Sequence, residues 1–77
     1  MHQFQISLNT IDKVKEFVNV SEQMPFEVRV RSQDSERTVD ACSVLGVLSL
    51  PLTNALTVIV PTVLDEKQLT NSLRLVG

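Results

Sequence analysis

The sequence has few of the residue types on which catalytic and cofactor-binding sites depend. Its 77 residues include one Cys, one His and two Gly, and neither Tyr nor Trp. The single cysteine, Cys42, excludes a disulfide within the chain and a zinc site built on a cysteine cluster. The two glycines, Gly46 and Gly77, are too few for a glycine-rich loop that cradles phosphate groups. No metal and no cofactor is therefore expected.

The sequence has a single histidine, and its seven basic residues are outnumbered by nine acidic ones, which excludes further classes of function. The one histidine, His2, lies at the start of the sequence, where chains fray, so a Ser-His-Asp triad is not expected. Three Phe are the only aromatic residues and the net charge is −2, so neither base stacking nor binding of a phosphate backbone is favoured. The composition predicts a protein that is not an enzyme and does not bind nucleic acid.

Long apolar runs are absent as well. No stretch approaches the roughly 20 apolar residues that span a bilayer, and no basic cluster followed by an apolar run marks a signal peptide. A lone unpaired cysteine is typical of a reducing compartment. The sequence therefore predicts a cytoplasmic protein without a membrane among its partners.

Alternation of apolar and polar positions is the main pattern that the sequence does contain. The pattern predicts, in chain order, a strand over residues 2–8, a helix over about 10–21, strands over 26–31 and 37–41, a short helix over 44–50, a strand over 56–60 and a last helix capped by Asp65. This βαββαβα order fits one four-stranded sheet with helices on one face, which is an α+β fold of two layers. Because no repeat or linker interrupts it, residues 1–77 are expected to form a single domain.

Helix starts and buried faces follow from the same pattern. Capping oxygens are predicted at Asn9–Thr10, Ser43 and Asp65, since short polar side chains accept hydrogen bonds from the first free backbone N–H groups. The apolar positions at helical spacing, which are expected to face the core, are Ile11, Val14, Phe17 and Val18 in the first helix and Leu69, Leu73 and Val76 in the last. Cys42 is expected to be a small packed residue.

The segment from Ser43 to Leu50, which reads SVLGVLSL and follows Thr38-Val39-Asp40, resembles the second-helix region of HPr. HPr is the histidine-containing phosphocarrier of the bacterial sugar phosphotransferase system. The length and the βαββαβα order are also similar to HPr, and the resemblance spans most of the chain. It implies an HPr-like open-faced β-sandwich with a four-stranded antiparallel sheet and three helices on one face. It also implies a bacterial protein of sugar transport or carbon catabolite regulation.

The chain departs from this resemblance at the phosphate-carrying residue. HPr proteins place a phosphorylatable histidine at the start of the first helix, followed closely by an arginine and a proline. Here Thr10 stands at the histidine's place, Asp12 at the arginine's and Lys13 at the proline's. A threonine phosphate ester is not the high-energy intermediate that a phosphohistidine is, and Asp12 would repel an incoming phosphate dianion. Thr10 is therefore expected to be a helix cap, and no catalytic residue is assigned.

Ser43 is the second candidate site. In HPr of many Gram-positive bacteria the serine at this position is phosphorylated by HPr kinase, and the resemblance implies the same regulatory phosphorylation here. A phosphate at a helix N-terminus would meet free backbone N–H groups and the positive end of the helix dipole. The alternative is that Ser43 serves only as the N-cap.

The short helix that follows Ser43 carries more apolar residues than two turns on one side of a sheet need to bury. The resemblance implies that Val44, Leu45, Gly46 and Leu48 contribute to a surface that binds partner proteins, and exposed apolar clusters usually mark an interface. The alternative is that most of these side chains belong to the core and that Gly46 only permits close packing.

Three functions remain open at this stage. The leading hypothesis is a protein-interaction or regulatory module that does not transfer phosphate, binds phosphotransferase-system proteins or carbon-control regulators, and is switched by HPr kinase at Ser43. The alternative is a genuine phosphocarrier that accepts a phosphoryl group at an atypical residue, Thr10 or His2. The third is a chain that retains the fold without a specific partner.

Overall fold

The computed structural model describes residues 1–73, and its helices and strands follow the predicted order. They are β1 (His2–Ile6), α1 (Ile11–Glu22), β2 (Arg29–Ser32), β3 (Val39–Asp40), α2 (Val44–Leu48), β4 (Leu56–Val60) and α3 (Val63–Ser72). Within residues 1–73, no helix is both long enough and apolar enough to cross a membrane. Val76, which was expected on the buried face of the last helix, lies outside the described residues.

The four strands form one antiparallel sheet in the order β1-β4-β2-β3. Phe4 of β1 lies opposite Val58 of β4, and Val58 lies opposite Val30 of β2 on its other side. The strand that comes last in the sequence is therefore a central strand of the sheet, paired with the first strand and with the second. The α+β fold with a four-stranded antiparallel sheet and three helices is confirmed.

The core lies between the helices and one face of the sheet. Val30 and Val58 are fully buried in one apolar cluster with Phe17 of α1 and Leu69 of α3, and α2 adds Val47 to the same cluster. Each helix thus contributes at least one fully buried side chain, as the apolar stripe of an amphipathic helix requires. This packing fixes the positions of α1 and α2, whose starts carry the candidate site residues.

On the opposite face of the sheet, polar side chains of β1 and β2 flank the buried side chains of β4. Thr57 and Ile59 of β4 are buried although they point away from the core. Their neighbours on the flanking strands are Gln5 and Arg31 for Thr57, and Gln3 and Arg29 for Ile59. Side chains directly opposite each other in a sheet are in contact, so these long polar residues cover the central strand.

Several elements are shorter than the sequence pattern predicts. The strand β1 ends at Ile6, and Leu8 is fully buried beyond its end. The edge strand β3 has two residues, and α2 ends at Leu48, where Ser49 is the C-cap. Apolar residues beyond an element can still be buried, so alternation alone overestimates the length of strands and helices.

The prediction that Asp65 caps the last helix was wrong. The cap is Thr62, whose Oγ1 accepts a hydrogen bond from the backbone N–H of Asp65 at 3.2 Å. The Asp65 carboxylate in return accepts from the backbone N–H of Thr62 at 3.1 Å. This reciprocal pair is a capping box, in which an acidic residue three positions after the cap completes the helix start.

The prediction that His2 frays was also wrong. His2 is the first residue of β1 and lies opposite Val60 in the register. Its ring Nε2 contacts the carboxylate Oε1 of Glu66 in α3, and both side chains are half-buried. This contact joins the start of β1 to the first turn of α3. His2 therefore helps to hold the sheet and the helix layer together.

Candidate functional site

Thr10 caps α1 as expected from the sequence. Its backbone is extended, with φ −135° and ψ 157°, and its Oγ1 accepts a hydrogen bond from the backbone N–H of Lys13 at 3.2 Å. Asp12 lies in the first turn, where the positive end of the helix dipole stabilises its negative charge. Within residues 1–73, no other side chain is hydrogen-bonded to the Thr10 hydroxyl, so no base is placed to activate it as a nucleophile.

Ile11 is the residue at this helix start that sequence reasoning missed. The helical spacing predicted that Ile11 faces the core with Val14, whereas Ile11 is 51% exposed and Val14 is fully buried. Ile11 is the first residue of the helix, about one turn before Val14 and at the edge of the buried cluster. Only its exposure, which the sequence pattern does not show, marks it as a surface residue.

Ser43 caps α2. Its Oγ accepts a hydrogen bond from the backbone N–H of Gly46 at 3.1 Å, and its carbonyl accepts from the N–H of Val47 at 3.0 Å. The side chain is half-buried, so the hydroxyl lies at the surface but is already engaged with the helix. The capping role of Ser43 is therefore confirmed, while its phosphorylation stays a prediction.

Gly46 allows the Ser43 side chain and β3 to lie close to α2. A Cβ at position 46 would lie 3.3 Å from both Cβ and Oγ of Ser43 and 3.5 Å from Cβ of Val39. Separations near 3.3 Å are closer than ordinary van der Waals contact, so a side chain here would press on the cap. Contacts within the chain thus account for the glycine.

The apolar residues of α2 divide into a buried and an exposed set. Val47 is fully buried, and Val44 and Leu48 are half-buried against the core. Leu45 points outward, and the residue is 82% exposed. We refer to the four residues predicted to bind partners, Val44, Leu45, Gly46 and Leu48, as the α2 surface. Leu45 is the residue of this surface that the fold leaves uncovered.

The turn before α2 is acidic. The Asp40 carboxylate accepts a hydrogen bond from the backbone N–H of Cys42 at 2.9 Å. Partial burial, followed by the negative charges of Asp40 and Glu22, raises the pKa of the Cys42 thiol above its ordinary value. The thiol therefore stays protonated at neutral pH, which disfavours a reactive thiolate.

The expectation that Cys42 is packed was wrong. Its side chain is exposed, and the preceding residue, Ala41, is fully buried instead. Cys42 lies in the turn between β3 and α2, in which Ala41 supplies the buried side chain.

Among known proteins, the chain is similar to solved structures but not to curated sequences. The sequence matches no protein-family model and no curated protein. Among solved structures, the chain is similar to the crystal structure of HPr-C-His from Thermoanaerobacter tengcongensis, with a TM-score of 0.72 over 95% of this chain and 86% of that chain. The fold is that of HPr. At 19% sequence identity, the likeness extends to the fold and not to the identity of individual site residues.

The HPr-like fold places two of the candidate residues, Thr10 and Ser43, in one helix layer. Thr10 begins α1, Ser43 begins α2, and these two helices pack against each other. His2 begins β1, whereas Thr10 follows the loop at the other end of that strand, so the one histidine of the sequence is not at the start of α1. The substitution of the HPr histidine by Thr10 remains a prediction from the sequence.

Proposed function

We propose that this chain is an HPr-like protein-interaction module of the sugar phosphotransferase system or of carbon regulation, which does not transfer phosphate. The observation that carries the proposal is the exposure of Leu45, a residue that is 82% exposed on a five-residue helix. Burying a leucine side chain contributes about 1.5–3 kcal/mol, so an uncovered leucine favours association with an apolar surface. The likeness of the fold to HPr supports partners from the phosphotransferase system.

The partners that we propose are proteins of the phosphotransferase system and carbon-control regulators. Ile11 at the start of α1 adds a second exposed aliphatic side chain on a helix that packs against α2. Such a surface fits a partner that offers an apolar depression with few charges at its centre. We assign the α2 surface as the binding site and Ile11 as an additional contact.

The absence of phosphate transfer rests on the chemistry of the α1 start. Transfer from phosphoenolpyruvate needs an acceptor that forms a reactive phosphoryl intermediate, which imidazole provides and a threonine hydroxyl does not. Thr10 is occupied as a cap, and Asp12 adds negative charge to the first turn. The alternative, a phosphocarrier that uses Thr10 or His2, gains no support from this geometry, since His2 contacts Glu66 in the helix α3.

We further propose that HPr kinase phosphorylates Ser43 and that the phosphate switches the α2 surface. A phosphate adds a charge of about −1.5 to −2 at neutral pH, here two residues before Leu45. Asp40 and Glu22 already make this turn negative, so the added charge would disfavour partners with acidic surfaces. The phosphate would therefore change which partners bind.

Intact-mass spectrometry after two incubations tests both parts of this proposal. One incubation contains phosphoenolpyruvate and the general phosphotransferase enzyme, and the other contains ATP and HPr kinase. We expect no phosphate in the first and one phosphate in the second, lost in Ser43→Asn. Asparagine caps a helix as well as serine does, so this variant removes the hydroxyl and keeps the fold. A phosphate in the first incubation would show that the chain is a phosphocarrier.

Binding measurements with a matched pair of variants test the α2 surface. Titration calorimetry would measure the affinity for purified phosphotransferase and carbon-control proteins. We expect Leu45→Asp to weaken binding about tenfold or more, because it places a charge in an apolar contact. Leu64→Asp is the control, since Leu64 is 70% exposed on α3 and should not contact the partner. If the unsubstituted chain binds none of these proteins, phosphorylated or not, the proposal fails.

A further inference from the structure

A cleft of about 560 Å³ lies between the loop that joins β2 to β3 and the C-terminal end of α2. Its polar lining consists of Ser32, Ser35, Arg37 and Ser49. The cleft lies beside the C-cap Ser49, whereas Ser43 and the exposed Leu45 lie at the start of α2. None of these polar residues was singled out from the sequence.

Ser32 is the observation that points to a ligand. It is the last residue of β2, the whole residue is only 6% exposed, and it lines the cleft. Its hydroxyl makes no hydrogen bond to any other group of residues 1–73, although its carbonyl accepts from Ser35 and Arg31. The hydroxyl lines the cleft, so its proton is free to be donated to an acceptor that enters there.

Two further donors face the same space. The guanidinium of Arg37 forms no hydrogen bond or ion pair within the described part of the chain. The Ser35 hydroxyl accepts from the backbone N–H of Arg37 at 3.1 Å, which leaves its own proton free to be donated. Ser49 is already committed, because its hydroxyl donates to the Gly46 carbonyl at 2.6 Å. The cleft therefore offers three unused donors, of which one carries a full positive charge.

The charges around the cleft favour an anion. No carboxylate lines it; the acidic residues of the same loop, Asp34 and Glu36, are exposed and lie outside the lining. Arg31 adds a second guanidinium beside the loop, where its Nη1 donates to the carbonyls of Ser32 and Ser35 at 3.2 Å each. These two bonds link the backbone of Ser32 to that of Ser35, and both residues line the cleft.

We infer that this cleft binds the phosphate group of a small phosphorylated metabolite. A phosphate monoester has three terminal oxygens, which match the three unused donors, and a guanidinium binds phosphate through two parallel hydrogen bonds. The remaining wall is apolar and consists of Val39, Leu50 and Pro51, so it fits an aliphatic part of the same molecule. The volume accommodates a small molecule.

Nuclear magnetic resonance titration at constant ionic strength tests this site. The probes are n-propyl phosphate and butyrate, which have similar aliphatic parts and differ in the acidic group. We expect n-propyl phosphate to give saturable shifts of the backbone amides of Ser32, Ser35 and Arg37, with weaker binding of butyrate. Binding of butyrate as tight as that of n-propyl phosphate would overturn the assignment to a phosphate.

A matched pair of charge variants decides whether the cleft is the site. Arg37→Gln should weaken binding of n-propyl phosphate about tenfold or more, as expected for the loss of a charged hydrogen bond. Lys67→Gln removes an exposed cation of α3 and should leave the affinity unchanged. Equal losses in the two variants, or no saturable shift with the unsubstituted chain, would show that no such site exists. Ser32→Ala should also weaken binding, with the melting temperature confirming that the variant folds.

Discussion

Two small residues, Ser43 and Gly46, determine how α2 begins. The serine hydroxyl satisfies the backbone N–H of Gly46, and the missing side chain of Gly46 leaves room for the serine. The two residues therefore act as a unit, and a change in one alters the effect of a change in the other. Glycine inside a helix lowers stability by about 1 kcal/mol relative to alanine, so a packing reason is needed to explain it.

We expect Gly46→Ala to stabilise the chain by less than the helix propensity of about 1 kcal/mol, because the new Cβ presses on Ser43. In a chain that also carries Ser43→Gly, the contact disappears and Gly46→Ala should gain at least about 0.5 kcal/mol more. Urea denaturation of the four chains measures this coupling. Additive effects of the two substitutions would contradict the close contact between them.

The thiol of Cys42 offers a test of the acidic turn before α2. Because partial burial and then Asp40 raise the pKa of Cys42, a smaller fraction of it is thiolate at a given pH than of an ordinary cysteine. Asp40→Asn removes the charge and keeps an oxygen that accepts from Cys42, so the pKa should fall and alkylation by iodoacetamide at mildly alkaline pH should accelerate. Partial burial and the charge of Glu22 still raise the pKa of Cys42 in this variant, so it should fall only part of the way to its ordinary value. Asp34→Asn is the control, and equal rates in both variants would contradict this electrostatic account.

At the scale of elements, each helix combines a buried stripe with exposed apolar residues. In α3, Leu69 is fully buried, whereas Leu64 is 70% exposed one and a half turns earlier. The capping box at Thr62 and Asp65 fixes the helix start independently of this packing. Of the two leucines of α3, Leu69 therefore stabilises the core, whereas Leu64 contributes little to stability.

We expect Leu69→Ala to lower the free energy of unfolding by about 2–5 kcal/mol, because it opens a cavity in the core. Leu64→Ala should change it by less than about 0.5 kcal/mol, since the side chain is largely solvated already. Thermal unfolding followed by far-ultraviolet circular dichroism compares the two variants. Similar losses of unfolding free energy in both variants would contradict the position of α3 in which Leu69 is buried and Leu64 is exposed.

At the scale of the whole molecule, one sheet and one core join all three helices. The central position of β4 between β1 and β2 means that strands far apart in the sequence must pair before the core closes. The radius of gyration, 11.0 Å, agrees with the value of about 11 Å for a compact domain of this length. We therefore propose that the chain unfolds as a single domain.

We expect unfolding in urea to be two-state. The helical circular dichroism signal and the methyl resonances of Val30 and Val58 should lose intensity at the same urea concentration, because those methyl groups lie in the core shared by all three helices. Val58→Ala should shift both transitions to lower urea concentration together. Separate transitions for the two signals would show that part of the chain folds independently.

The sequence by itself determined the order of elements, the fold class and two of the three helix caps. Strand β4 was predicted with the bounds that the structure gives it, since Pro61 ends an uninterrupted alternation there. Thr10 and Ser43 were predicted as caps because capping depends on residues within one turn. Caps and hydrophobic periodicity depend on residues that are close together in the sequence, so they can be predicted without knowledge of the fold.

Only the tertiary structure decided which residues are exposed and which distant groups meet. Ile11 and Leu45 are apolar like their buried neighbours, and their exposure depends on how the helices lie on the sheet. The contact of His2 with Glu66 joins residues at opposite ends of the chain. The cleft at Ser32 and Arg37 likewise exists because the loop after β2 lies beside the end of α2. Burial depends on the packing of the whole chain, which the local sequence does not contain.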